Sequence, residues 1–188
     1  MTPSKTLSDP LAAFLAEPHI EASPAWEWLM NRALQKPMPS LFHSRLQRNL
    51  VNWLNAQGQG WEASQEFRCR VPPDSPVPDI AVVQRDRLPL EDGPLQGAPD
   101  WLIEIRSSGQ STPNFQAKDL QAKILHCLRQ ETQLAWLIDF EREQVWVWQG
   151  AELLNVYGAD DVLPVLDGFF SLTVRNVMAM TGRFIDEE

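Results

Sequence analysis

Positive charge is scarce in this chain. Sixteen Lys and Arg residues stand against twenty-five Asp and Glu, for a formal net charge of −9 and a pI near 4.8. That balance argues against a broad electrostatic footprint for nucleic acid, although a local basic groove or a bound metal is compatible with an acidic surface. Cysteine is almost missing. Cys69 and Cys127 fall on an expected strand and an expected helix without metal-ligand spacing, so they read as buried free thiols rather than as ligands. No apolar run approaches the roughly 18 residues a membrane span needs, and Met1-Thr2-Pro3-Ser4-Lys5 lacks the apolar core of a secretory signal. A cytoplasmic location is the expectation. Internal repeats and low-complexity tracts are also missing. What remains is the profile of a soluble globular chain, 44% hydrophobic and 22% charged, whose 188 residues suffice for one domain with a real core.

Residues 1–24 mix prolines with the apolar stretch from Leu11 to Ala16 and read as an N-terminal extension with a turn or two of helix; residues 25–188 read as the single domain. Trp26-Glu27-Trp28-Leu29 and Ala33-Leu34-Gln35-Lys36, joined through Asn31-Arg32, predict a hairpin. From Ser40, a plausible N-cap, the period becomes helical, with Leu46, Leu50, Trp53 and Leu54 on one face until Gly58 and Gly60. Ser64 to Val71 alternates, Phe67, Cys69 and Val71 against Glu66, Arg68 and Arg70, as a half-exposed strand does. Residues 84–99, rich in charge, Pro and Gly, predict a loop long enough to act as a lid or rim. After a break over Ser107 to Pro113, a helix is expected from about Asn114 to Gln130, with Ala117, Leu120, Ile124, Cys127 and Leu128 as its buried stripe. Leu134 to Asp139 reads as a central strand buried on both sides, Val145-Trp146-Val147-Trp148 as an outer hairpin strand, Leu153 to Tyr157 as another strand, and Leu172 to Met180 as a closing helix. The order predicts an α/β or α+β fold around a mixed sheet flanked by helices, with an additional β-hairpin.

Two short apolar segments each carry a carboxylate where a hydrophobic residue belongs. In Trp101-Leu102-Ile103-Glu104-Ile105-Arg106, alternation puts Trp101, Ile103 and Ile105 on one face and Leu102, Glu104 and Arg106 on the other. Asp79 opens the apolar run Ile80-Ala81-Val82-Val83 directly after a proline. A carboxylate in such a strand costs free energy unless a cation, a metal or hydrogen bonds compensate it. If the strands are neighbours the two acids share one pocket, and two like charges about 4 Å apart at an effective dielectric near 20 repel by roughly 4 kcal/mol. A divalent cation between them reverses the sign. Each acid also has a plainer reading: Asp79 as a strand-start carboxylate, Glu104 as the partner of Arg106 or Lys123.

Pro78-Asp79 followed 25 positions later by Glu104-Ile105-Arg106 resembles the acidic pair of the PD-(D/E)XK nuclease superfamily. The likeness extends from about Ala25 to Met178. Pro37-Met38-Pro39-Ser40, His43-Ser44-Arg45-Leu46-Gln47, Val77 to Val83, Pro99 to Ile105, Ile124 to Leu128 and Trp136-Leu137-Ile138-Asp139 together resemble the Uma-two family of restriction endonucleases. That resemblance implies a restriction-endonuclease-like core with Asp79 and Glu104 as ligands of Mg²⁺, Mn²⁺ being a substitute, and DNA as the substrate. The motif lysine two residues after the glutamate is replaced by Arg106, which can clamp a phosphate but cannot take a proton from water. Family members often carry the lysine on the next helix, where Lys123 stands with Asp119 one turn before it; a plain ion pair between these two is the bland alternative. Glu66 is a secondary acid, with pairing to Arg68 or Arg70 as its alternative. His43 is a secondary candidate that reads equally as a core or rim histidine. Trp146 and Trp148 can stack bases or simply pack the hairpin.

The expectation is therefore a Mg²⁺-dependent endonuclease acting on DNA as a homodimer or higher homo-oligomer. Asp79, Glu104 and Lys123 carry the chemistry, with Arg106, Glu66, His43 and Asp119 secondary. The rivals are a catalytically inactive nucleic-acid-binding module and a homo-oligomeric scaffold using an exposed tryptophan hairpin.

Overall fold

In the computed structural model, the described residues are 9–106, 117–150 and 154–183. The chain runs α1 (Pro10–Leu15), β1 (Trp26–Leu29), β2 (Arg32–Gln35), α2 (Leu41–Gln57), β3 (Trp61–Gln65), β4 (Cys69–Arg70), β5 (Ile80–Gln84), β6 (Leu95–Gln96), β7 (Trp101–Arg106), α3 (Ala117–Leu128), β8 (Leu134–Asp139), β9 (Gln144–Gln149), β10 (Leu154–Gly158), β11 (Val162–Leu163), β12 (Leu172–Thr173) and α4 (Val174–Ala179). Six strands form the main sheet in the order β10-β9-β8-β7-β5-β3. All its pairings are antiparallel except β7 with β8, which α3 connects. Around it lie the hairpin β1-β2, the pair β4-β6 and the pair β11-β12. This is the mixed sheet flanked by helices, with an additional hairpin, that the sequence predicts. No helix among the described residues is long and apolar enough to cross a membrane.

Alternation sorts the side chains of the central strands between two cores. On one face Ile80, Val82, Trp101, Ile103, Ile105, Trp136 and Ile138 pack beneath Leu46, Leu50 and Leu54 of α2, with the Trp101 and Trp136 rings meeting edge to face at 4.6 Å. On the other, Ala81, Val83, Leu102, Ala135 and Leu137 pack beneath Ile124, Cys127 and Leu128 of α3. The parity that sends Ala81 and Leu102 toward α3 sends Asp79 and Glu104 there too. The helix α2 starts where its sequence says: the Ser40 hydroxyl accepts the His43 N–H at 3.2 Å. It stops at Gly58, where a Cβ would lie 2.8 Å from the Phe169 ring. Both cysteines are buried and unpaired, and burial pushes the Cys69 thiol up to about 12.

Three expectations need correction. The strand expected from Ser64 to Val71 breaks at Glu66, whose φ of +49° turns the backbone, so only β3 joins the main sheet and β4 leaves to pair with β6. The break reverses the expected facing of Arg68: it is buried, paired with Glu21, donating to the carbonyls of Ile20 (3.1 Å) and Trp26 (2.8 Å), and set over the Phe14 ring at 5.7 Å. The 84–99 segment is not a free lid. Arg87 ties it to Asp100 at 2.8 Å and to the Ala98 carbonyl at 2.7 Å, and β6 holds its far end. The tryptophan hairpin is not an exposed patch either, since Trp148 is buried in the α3-side core and Trp146 packs against it. The expected break over Ser107 to Pro113, the start of its helix near Asn114 and the strand start at Leu153 lie outside the described residues.

The Ser40 cap gives a direct check. Ser40→Ala is expected to cost about 1 kcal/mol and Ser40→Gly only a few tenths, read as shifts of the urea midpoint. Equal losses for both would mean that Ser40 acts by packing and not by capping.

Candidate active site

The two acids come together through strand register. β5 and β7 are antiparallel with Ile80 opposite Ile103, so one step further Asp79 stands opposite Glu104 on the α3 side. Asp79 Oδ2 accepts the backbone N–H of Ile105 at 2.7 Å, which fixes its carboxylate against β7. Its own carbonyl accepts the Gln47 amide at 2.6 Å, linking the strand end to α2. Both carboxylates are buried, Asp79 at 3% exposure and Glu104 at 0%.

The cations that compensate them come from α3 and from the N-terminal hairpin. Lys123, its side chain 0% exposed, places Nζ 2.8 Å from Glu104 Oε1 and 2.8 Å from Glu27 Oε1. Glu27 lies on the inner face of β1, and its Oε1 also accepts the Val77 N–H at 2.6 Å. Opposite Glu27 in the hairpin is Leu34. Two residues on, Lys36 reaches Asp79 Oδ1 at 2.7 Å, Glu66 Oε2 at 2.9 Å and the Val77 carbonyl at 2.9 Å. Neither Glu27 nor Lys36 stood out in the sequence. The available signal was their alternation with Leu29 and Leu34, which puts a charge of each sign on the leucine face of the hairpin.

Burial and pairing pull the titrating groups apart. At Asp79 burial raises the carboxyl, but Lys36 and then His43 outweigh it and hold it well below the usual range. Burial opposes the Lys36 ammonium, yet Asp79 and Glu66 hold it well above its ordinary value. Glu104 goes the other way: burial, only partly offset by Lys123 and reinforced by Asp79, pushes it up to about 8. Lys123 is held above its ordinary value by Glu104 and Glu27 against the cost of burial. For His43 burial works against the imidazolium and Asp79, 3.5 Å from Nε2, wins, so its pKa rises.

Whether these donors suit a divalent cation turns on the Glu104 carboxylate. Lys123 engages Glu104 through Oε1 at 2.8 Å, and the buried Oε2 has no hydrogen-bond or ion-pair partner. Glu27 Oε2 is in the same condition. Unmet carboxylate oxygens are the hard donors that Mg²⁺ takes, one or two at a time while keeping much of its water. No group of three or more His, Cys, Asp or Glu among the described residues could by itself hold a metal. A two-carboxylate Mg²⁺ site fits; an all-protein cage does not.

The secondary candidates divide. Glu66 and His43 join the Asp79 half of the cluster, Glu66 through Lys36 and a 3.1 Å bond from Gln47 rather than through Arg68 or Arg70. Asp119 meets Arg32 of the hairpin at 2.5 Å. Arg106 pairs across the sheet with Asp139 at 3.3 Å.

A six-stranded mixed sheet flanked by helices, with its parallel pair joined by a crossover helix, is the fold of a restriction-endonuclease-like protein. Residues 11–175 match the model of the family described as Uma2, putative restriction endonuclease, and the chain belongs to that family. It is similar to a crystal structure described as a putative nuclease belonging to DUF820 from Anabaena variabilis ATCC 29413, with a TM-score of 0.81 and 33% identity over 91% of this chain and 98% of that one. Comparison with curated proteins finds no match.

The Glu104 shift carries a sign that can be measured. A carboxyl raised from 4.5 to about 8 on folding stabilises the fold fully below about pH 4.5, and that contribution is lost as pH rises toward 8. Glu104→Gln removes the dependence. Its urea midpoint relative to the parent is expected to climb between pH 5 and pH 8, and a constant difference over that window would contradict the assignment.

Proposed function

We propose that the protein is a Mg²⁺-dependent endonuclease that hydrolyses phosphodiester bonds in DNA, with Mn²⁺ as a working substitute. The observation that carries the reading is the facing pair Asp79 and Glu104 on β5 and β7, one with both oxygens engaged and one whose Oε1 meets Lys123 while Oε2 has no partner. These two residues would hold the ion, which supplies a bound water of lowered pKa and charge stabilisation at the scissile phosphate. Lys123 sets the position of Glu104 and presents positive charge behind it. Arg106, permanently charged and about one third exposed, is the phosphate contact. Membership of the Uma2 family supports DNA as the substrate. Cleavage of both strands of a duplex calls for two such sites, which a homodimer provides.

A second reading has one observation in its favour. Glu104 and Lys123 are sealed from solvent, as they would be in a binding module that keeps the ionic cluster only to hold its fold. The two readings separate in one assay, with supercoiled and linear duplex DNA, Mg²⁺ or Mn²⁺, and the purified chain. The enzyme reading expects metal-dependent nicking or cutting that drops at least about a hundredfold in Asp79→Ala and Glu104→Ala, as for loss of electrostatic stabilisation at a reacting centre, with the circular dichroism spectrum retained. Salt-dependent binding without turnover supports the module. Cleavage at the parent rate by both variants rules out this site.

A further inference from the structure

The two acids are not equivalent. Glu104 meets Lys123 at 2.8 Å through Oε1 and leaves Oε2 without a partner, whereas Asp79 is covered on both: Ile105 N–H is on Oδ2, and Lys36 at 2.7 Å and His43 at 3.5 Å are on Oδ1. Lys36 is also fully engaged, donating to Asp79 and the Val77 carbonyl and ion-paired with Glu66 at 2.9 Å. An ammonium and a divalent ion cannot both sit against one carboxylate oxygen without strong mutual repulsion, because the site is too buried for water to screen them. We propose that Lys36 is a resident counter-cation on Asp79, which a divalent ion must displace before the site is loaded.

The surroundings allow that displacement. Glu66, the second acceptor of Lys36, has a side chain 41% exposed, while Asp79 is nearly closed. A long flexible lysine can therefore leave Asp79 and stay paired with Glu66 at the rim. Without the ion, Lys36 spares the fold a bare buried carboxylate; with it, Asp79 exchanges one cation for another. The device sets a threshold of divalent-ion concentration below which the site stays shut. It rests on the reading of Asp79 as a metal ligand.

Mn²⁺ binding to the full chain, by calorimetry and electron paramagnetic resonance, tests this without any substrate. Lys36→Gln and Lys36→Met are expected to bind Mn²⁺ at least tenfold more tightly than the parent, and Asp79→Asn to lose binding. On the parent, acylation of lysines mapped by mass spectrometry is expected to find Lys36 protected without metal and several-fold more reactive with Mn²⁺. Lys118, exposed on α3, should react equally in both states. Folded Lys36 variants with parental or weaker affinity overturn the displacement while leaving the metal site standing. Should the variants not fold, unchanged or lower Lys36 reactivity in Mn²⁺ overturns it equally. Absence of Mn²⁺ binding from the parent and every folded variant removes the metal reading itself.

Discussion

One buried ammonium ties the molecule together. Lys123 of α3 stands between Glu104 of the central sheet and Glu27 of the N-terminal hairpin, all three side chains at 0% exposure. Such a triad is a poor source of net stability, since desolvating the charges offsets most of their attraction, but losing one member leaves an uncompensated charge and costs about 3–5 kcal/mol. Its effect is to fix position. Against α3 the hairpin offers only Leu29 and Leu34, which meet Leu120, while Trp26 and Trp28 pack on the α1 side, so the ions fix where that small leucine surface docks. Arg32 with Asp119, and Lys36 with Asp79, repeat the device at either end.

The antiparallel register of β5 and β7 brings the two carboxylates face to face. Register alone does not say what compensates them, since Arg106 stands two residues after Glu104 and faces Asp139 instead. The geometry supplies an answer in two parts: Lys123 arrives from the crossover helix behind Glu104, and Lys36 arrives from the hairpin in front of Asp79.

Much of the fold was legible because its signals are local or periodic. The Ser40 cap, the α2 stripe, the continuous apolar run of β8 and the parity of Trp101 to Arg106 each survive in the structure unchanged. Asp79 and Glu104 were legible because a lone charge in an apolar strand demands compensation. The compensating residues were harder to find. Glu27 and Lys36 sit on strands of four residues or at their ends, too short for alternation to separate an inward charge from an outward one. Arg68 was misread because the backbone turn at Glu66 changes parity, and a positive φ at a glutamate has no sequence signature.

The separation along the chain between Glu27 and Lys123, 96 residues, sets when the cluster can assemble. Pairing of β7 with β8 through α3 closes a much shorter loop and can form early, whereas the hairpin must wait for that platform before its two charges find partners. A chain with a finished sheet but an undocked hairpin therefore has most of its core and its two facing acids in register, and lacks only the charges that Lys36 and Glu27 bring to them.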